Sequence, residues 1–251
     1  MSERESESEP VPRSIALLWG LRPPTRRGPR GGLSVEQITR AAIEVADAEG
    51  LAAVSMARVA RQLGAGTMSL YRYIASKDEL LLLMGDAALT WPPEPPVGAG
   101  WREAMRQWAI AVLAEVRRHS WYVQLPLAGP PTGPRNLAWL DAALRTLDGT
   151  PLSSAERMTA VMTMIIFVQG QARMTAELAA ARQAGDPVAD QDYGRVIAAL
   201  IDPGTHPALA AVVADSVFDE PAPADPDDEE LGGSIDLILD GVAALIERRG
   251  G

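Results

Sequence analysis

Along most of the chain, apolar residues return every three or four positions, the period of a helix buried on one side. Ile38, Ala41, Ala42, Val45 and Ala46 form the first such stripe. Ser34-Val-Glu-Gln37 leads into it with capping-box spacing, the serine accepting an N–H three residues on and Gln37 reaching back. Gly50 ends the stripe, because glycine adopts the left-handed cap without a Cβ clash. Met56, Val59, Ala60 and Leu63 predict a second helix, N-capped by Ser55 and broken at Gly64. A short helix follows over 67–74. Ser76-Lys-Asp-Glu79 repeats the capping-box pattern and opens a fourth helix to about Leu89. Trp91-Pro-Pro-Glu-Pro-Pro96 stops it, since proline lacks an N–H and disfavours helix in the residue before it.

The remainder reads the same way. Trp101, Met105, Trp108, Ala109, Val112, Leu113 and Val116 stripe a helix over 101–119. A shorter one is expected over 136–147. Ser153-Ser-Ala-Glu156 is a third capping-box pattern, opening an apolar segment that runs unbroken to Ala184, about 48 Å at 1.5 Å per residue. Weaker patterns cover 192–201 and 207–217. Residues 219–230 are acidic and contain proline, the composition of a mobile loop. Ile235, Ile238, Leu239, Val242, Leu245 and Ile246 stripe a last helix over 234–249. The expected fold class is all-α.

Composition narrows the chemistry. The 251 residues include no cysteine, which excludes disulfides, thiolate zinc sites and cysteine nucleophiles. Two histidines, His119 and His206, leave little for a metal site or a triad. No acid/base pair or nucleophile–base arrangement stands out, so neither an enzyme nor a cofactor is expected. The apolar stretch Ile15–Leu21 is too short for a signal peptide, and no run approaches the ~18 apolar residues of a membrane span. These features set the expectation of a cytoplasmic protein without a membrane partner.

The net charge of −10 is unevenly distributed. Residues 13–77 carry ten basic against four acidic side chains, a net +6, whereas residues 91–251 carry −10. This asymmetry points to one segment that faces nucleic acid joined to another that does not. The stretch Arg22–Gly32, with Arg26, Arg27 and Arg30 among three prolines and three glycines, reads equally as a linker or as an arm lying along DNA.

Residues 55–74 meet the requirements of a helix-turn-helix. Ala60 is small enough for a close helix crossing, and Gly64, four positions on, tolerates positive φ in the turn. Val59, Leu63, Ala65, Leu70 and Tyr73 supply a shared apolar set. Thr67, Met68, Ser69, Tyr71 and Arg72 then offer hydroxyls, a thioether and a cation to base edges and phosphates. Spacing alone also fits a helical hairpin within a bundle.

The wording of this stretch is more specific. Gly50-Leu-Ala-Ala-Val-Ser-Met, followed by Val59-Ala-Arg-Gln-Leu-Gly-Ala-Gly-Thr-Met-Ser-Leu-Tyr-Arg-Tyr-Ile-Ala-Ser-Lys-Asp-Glu-Leu80, resembles the DNA-binding domain of the tetracycline-repressor (TetR) family of bacterial transcription regulators. The resemblance spans residues 33–89. It implies an N-terminal three-helix helix-turn-helix domain at 33–90 and a larger helical domain for effector binding and dimerisation at 91–251. A disordered acidic tail and basic arm would precede them at 1–32. It further implies that Thr67 and Met68 approach base edges, that Tyr71 meets a phosphate or a base, that Tyr73 and Lys77 meet phosphates, and that Ser55 or Met56 meets the DNA backbone. Arg27 and Arg30 would reach the minor groove.

For the larger domain the residues speak less clearly. Trp108, His119, Trp121, Trp139, Met158, Met162 and Phe167 suit an adaptable apolar pocket, and a packed core uses the same residue types. Gln169 and Arg173 interrupt an apolar run and need polar partners, which a ligand or a neighbouring helix supplies. The segments 153–184 and 234–249 are the expected homodimer helices, two copies making a four-helix bundle. The expected function is that of a homodimeric regulator, a repressor of palindromic operator DNA released by a small apolar or aromatic effector. An activator or structural DNA-binding protein without a ligand is the competing reading.

Overall fold

A computed structural model describes residues 11–21, 33–95, 98–126, 130–185, 193–218 and 230–250, and among these the regular elements are all helices. They are α1 (Arg13–Leu18), α2 (Val35–Glu49), α3 (Met56–Gln62), α4 (Thr67–Tyr71), α5 (Lys77–Ala87), α6 (Trp101–Arg118), α7 (Pro134–Arg145), α8 (Ser154–Gln183), α9 (Tyr193–Leu200), α10 (Pro207–Ala214) and α11 (Glu230–Gly250). Short 3-10 turns occupy Leu51–Ala53 and Tyr122–Gln124. None of these helices is long and apolar enough to cross a membrane.

The chain divides into two compact units, residues 1–149 and 150–251. In the first, α2, α3, α4 and α5 enclose a core in which Ile38, Ala42, Val59, Leu70, Ile74, Leu80 and Met84 are fully buried. The predicted capping box at α2 forms, with Ser34 Oγ accepting from Gln37 N–H (3.2 Å) and Gln37 Oε1 from Ser34 N–H (2.9 Å). The one at α5 forms by half. Ser76 Oγ accepts from Glu79 N–H (3.1 Å), but the Glu79 carboxylate takes the N–H of Ala75 rather than that of Ser76. The reason is tertiary: this carboxylate is buried and also faces Arg13.

One feature departs from the sequence reading. Residues 13–18 lie inside the stretch expected to be disordered, yet they form α1, because Leu17 and Leu18 pack against the core of the first unit. The compact division falls after Gly149, since α7 is bound to the end of α5 and packs with α6. Arg27 and Arg30 lie outside the described residues.

In the second unit α8 runs 30 residues without a break, as its pattern predicts. Its capping box is complete, and Glu156 Oε1 additionally accepts from Arg249 Nε (2.8 Å) near the end of α11. Helix α11 packs on α8 and begins at Glu230, four residues before the expected start, so of the predicted loop 219–230 only residues 219–229 lie outside the described residues. Helices α9 and α10 pack together, with Tyr193 and Phe218 edge to face at 5.3 Å.

Candidate nucleic-acid interface

The turn between α3 and α4 is built as the residues demand. Gly64 takes φ +61°, the left-handed conformation that costs a side-chain-bearing residue energy. Its N–H donates to Arg61 O (3.2 Å), and the next N–H, of Ala65, donates to Ala60 O (2.9 Å). These two bonds are the Schellman arrangement, which satisfies the last carbonyls of α3 while reversing the chain. Ala60 is buried at the crossing, as its size requires.

The reversal settles which face of α4 is presented. Leu70 and Ile74 are fully buried and anchor α4 to the core. Met68 is 77% exposed and Tyr71 44% exposed, and Arg72 is exposed with them. Thr67 and Ser69 are partly exposed. An exposed methionine and tyrosine on a five-residue helix carry apolar surface that folding leaves uncovered. Gly66 stands at the N-cap, so the helix start carries no capping side chain.

The other predicted contact residues separate. Ser55 is exposed, although its Oγ already accepts from Arg58 N–H (3.1 Å). Lys77 is exposed at the first position of α5. Tyr73 is half-buried and packs against the core, so only part of its ring is available. Met56 is a correction: its side chain is 5% exposed within the core and is not presented to a partner. Arg58, counted above among the basic residues, is engaged by Glu49 and by Gln62 Oε1 (3.0 Å). The hydrogen bond with Arg58 holds the Glu49 carboxyl below its ordinary range and the guanidinium above its own.

Of the nine predicted effector residues, Trp108, His119, Trp121 and Trp139 belong to the first unit and the other five to the second. Trp108 and Trp139 are buried together with rings 6.5 Å apart, Trp108 Nε1 donating to Trp139 O (3.0 Å) and Trp139 Nε1 to Thr90 O (2.8 Å). His119 and Trp121 meet Asp47 of α2 instead. Asp47 Oδ1 lies 2.7 Å from His119 Nδ1 and accepts from Trp121 Nε1 at 2.6 Å. Trp121 is 1% exposed and belongs to the core of the first unit. The indole N–H groups of all three tryptophans are therefore satisfied by the protein. On α8, Phe167 and Gln169 are half-buried, while Met158, Met162 and Arg173 are exposed.

Sequence reading missed the residues that join α5 to α7. Asp86 is buried and accepts from the N–H groups of Arg135 (3.0 Å) and Asn136 (3.1 Å), and Arg135 Nη1 donates to Ala87 O (2.6 Å) and Leu89 O (2.9 Å). Burial, together with the charge of Asp86, pushes the Tyr122 phenol up to about 12. Nothing in the spacing of residues 86 and 135 announces this pairing.

The family model described as bacterial regulatory proteins, tetR family, matches residues 38–84, and that described as tetracyclin repressor-like, C-terminal domain, matches residues 93–246. The HTH-type transcriptional repressor DrrR1 of Streptomyces coeruleorubidus is 34% identical over 260 residues, covering 100% of this chain and 92% of the relative. Among solved structures, the Streptomyces coelicolor TetR family protein ActR in complex with actinorhodin is similar at a TM-score of 0.68 and 22% identity, covering 86% of this chain and 99% of that one. BioQ with its natural double-stranded DNA operator is similar at a TM-score of 0.53 and 24% identity, over 60% of this chain and 90% of that one. The outward-facing α4 behind its Gly64 turn, the two family matches and the full-length likeness to DrrR1 lead to one conclusion: the chain belongs to the TetR family of bacterial transcriptional regulators.

Proposed function

We propose that the chain is a homodimeric repressor that binds a palindromic operator through α4 and is released by a small apolar or aromatic effector. The observation that carries the DNA reading is the exposure of Met68, Tyr71 and Arg72 on a helix whose opposite face is locked into the core. Thr67, Met68 and Ser69 would read base edges, and Lys77, Tyr71 and Arg72 would hold phosphates, with Ser55 beside the DNA backbone and Tyr73 contributing its open edge. The basic arm with Arg27 and Arg30 would add minor-groove contacts. DrrR1 is named a repressor, and BioQ was crystallised on DNA, in keeping with this assignment.

The dimer reading rests on α8 and α11. Met158, Met162 and Ile166 step by four along one side of α8 and leave exposed apolar surface there, Met174 and Leu178 are exposed beyond Gly170, and Leu237 is exposed on α11. Uncovered apolar surface on both helices suits a symmetric helix–helix seam. On this placement Met158 and Met162 serve the seam rather than an effector. Trp108 and Trp139 in the first unit, and Phe167, Gln169 and Arg173 in the second, remain the proposed effector residues. ActR, of similar fold, was crystallised in complex with actinorhodin, in keeping with a ligand-responsive regulator. Release would follow from a population shift toward a dimer whose recognition helices no longer match major grooves one turn apart, about 34 Å.

Selection of duplexes from a random-sequence pool tests the reading. The expected outcome is enrichment of one palindrome that binds two chains, with the same palindrome found upstream of the chain's own coding region. A pool that yields no preferred sequence at low salt overturns it. For the seam, Ile166→Lys should convert a dimer to a monomer in sedimentation, and an unchanged dimer would remove α8 from that role.

A further inference from the structure

We propose that α1 is a brace that holds the recognition helix in register, tying it at one end to the turn after α4 and at the other to the turn before α7. The inference rests on the DNA-reading role of α4 argued above. It concerns a segment that lies before the residues matched by the family models, which begin at residue 38.

The contacts are specific at both ends. Arg13 Nη2 donates to Tyr73 O (3.1 Å), a carbonyl just beyond the last residue of α4. Arg13 Nη1 lies 3.7 Å from Glu79 Oε2, on a carboxylate that is 7% exposed. The same carboxylate oxygen accepts the N–H of Ala75. Arg13 and Glu79 together therefore fasten residues 73–75, which lead from α4 towards α5. Leu17 and Leu18 pack against the surrounding core. At the far end, Trp19 Nε1 donates to Thr132 O (2.8 Å), in the turn that precedes α7.

The physical need for a brace follows from length. A helix of five residues cannot hold itself, because nucleation costs more than one turn of hydrogen bonds returns. The position of α4 is set by what packs on it and by what pins its ends. Its N-terminal end is pinned by the Gly64 turn. Its C-terminal end is pinned by Arg13, from 60 residues away in the chain. Helix α1 is itself only six residues long, so its order depends on the same contacts, and loosening either end should reach the other. Arg13 and Trp19 are positioning residues, since neither needs to touch DNA to act.

The test uses the full-length chain with Arg13→Gln, Arg13→Lys and Trp19→Phe, the last replacing the indole and its N–H with a smaller aromatic ring. Amide hydrogen exchange is followed without DNA. Arg13→Gln should speed exchange at residues 69–76 by about tenfold while leaving the α2 amides at 38–46 unchanged. Arg13→Lys should restore part of the protection. Trp19→Phe should speed exchange at the same recognition-helix amides, although Trp19 contacts Thr132 and not α4. Binding is then measured to a duplex selected by the wild-type chain and to its scrambled counterpart. The variants should lose about five- to tenfold for the selected duplex and under twofold for the scrambled one, because positioning matters to base contacts more than to phosphates. Exchange at 69–76 within twofold of wild type in both Arg13→Gln and Trp19→Phe overturns the brace, as does an equal loss on both duplexes. If the wild-type chain prefers no duplex, the DNA reading fails, and the exchange result decides the brace alone.

Discussion

Asp86 and Arg135 cap each other's helices. The Asp86 carboxylate, near the end of α5, accepts two main-chain N–H groups at the start of α7, and the Arg135 guanidinium returns to two carbonyls at the end of α5. Each helix thus supplies the charge that the other's terminus lacks. Trp139 adds a third tie to Thr90, and Glu115 of α6 accepts the Thr90 N–H at 2.8 Å. The last helix of the DNA-binding motif is therefore joined, through these hydrogen bonds, with α6 and α7.

Removing one side of this joint should be costly and specific. Asp86→Ala should lower stability by about 2 kcal/mol in chemical denaturation, since two main-chain N–H groups at the start of α7 lose their acceptor. Gly133→Ala should cost a similar amount for another reason: a Cβ there would sit 2.0 Å from Asp86 Oδ1. Because both substitutions act on one contact, the double variant should be less destabilised than the sum of the two, and strict additivity would refute the shared cause.

Asp47 serves a buried donor, Trp121, that cannot find water. Asp47→Ala should cost about 1–3 kcal/mol, whereas Asp47→Asn, which keeps an acceptor oxygen, should cost less than half of that. Equal losses in urea denaturation would show that charge, not acceptance, is what Trp121 and His119 require.

At Gly64 a Cβ would meet open space, so the cost of substitution is purely backbone strain. Gly64→Ala should destabilise by about 1–2 kcal/mol and Gly64→Asn by less, because asparagine tolerates the left-handed region. Thermal melts of the two variants check the order.

The acid limb of stability should report Glu156. Hydrogen bonds from the side chain and main chain of Ser153, and then from Arg249, hold its carboxyl down at about 2. A folded value below the unfolded one means that the contribution is present above about 4.5 and lost as pH falls toward 2. Glu156→Gln should flatten the fall in melting temperature across that window and leave the neutral range nearly unchanged. Added salt should shrink the difference, because the pair is at the surface.

On DNA, Met68 and Lys77 should separate two kinds of contact. Met68→Ala should reduce the ratio of selected to scrambled binding, while Lys77→Ala should weaken both and lower the salt slope by about one. A loss of selectivity in Lys77→Ala equal to that in Met68→Ala would merge the two roles.

The helices with long, regular stripes were legible because they answer to local chemistry. Ser34, Ser55 and Ser153 sit at helix starts and Gly64 at a reversal, and each does there what its side chain, or lack of one, allows. The outward set Met68, Tyr71 and Arg72 followed from the same spacing that placed Leu70 inward, whereas Ile74 rather than Tyr73 is the second fully buried anchor. Met56 lies where its stripe with Val59 and Ala60 puts it, in the core, and that burial removes the DNA-backbone contact that the resemblance implied. The aromatic residues assigned to an effector were readable only as apolar. Trp121 turned out to be a core residue of the first unit because Asp47, 74 residues earlier, reaches its indole.

Local pattern and turn chemistry were thus enough to establish an all-helical chain with a glycine-turned helix pair near its start. These depend on neighbours within a few residues, and such neighbours are written consecutively. Folding had to supply the rest: the order of α1 out of a stretch with no helical signal of its own, the mutual capping of Asp86 and Arg135, and the capture of Trp121 by Asp47. Each of these joins residues 46 to 113 positions apart, and no local period records a bond between partners so distant.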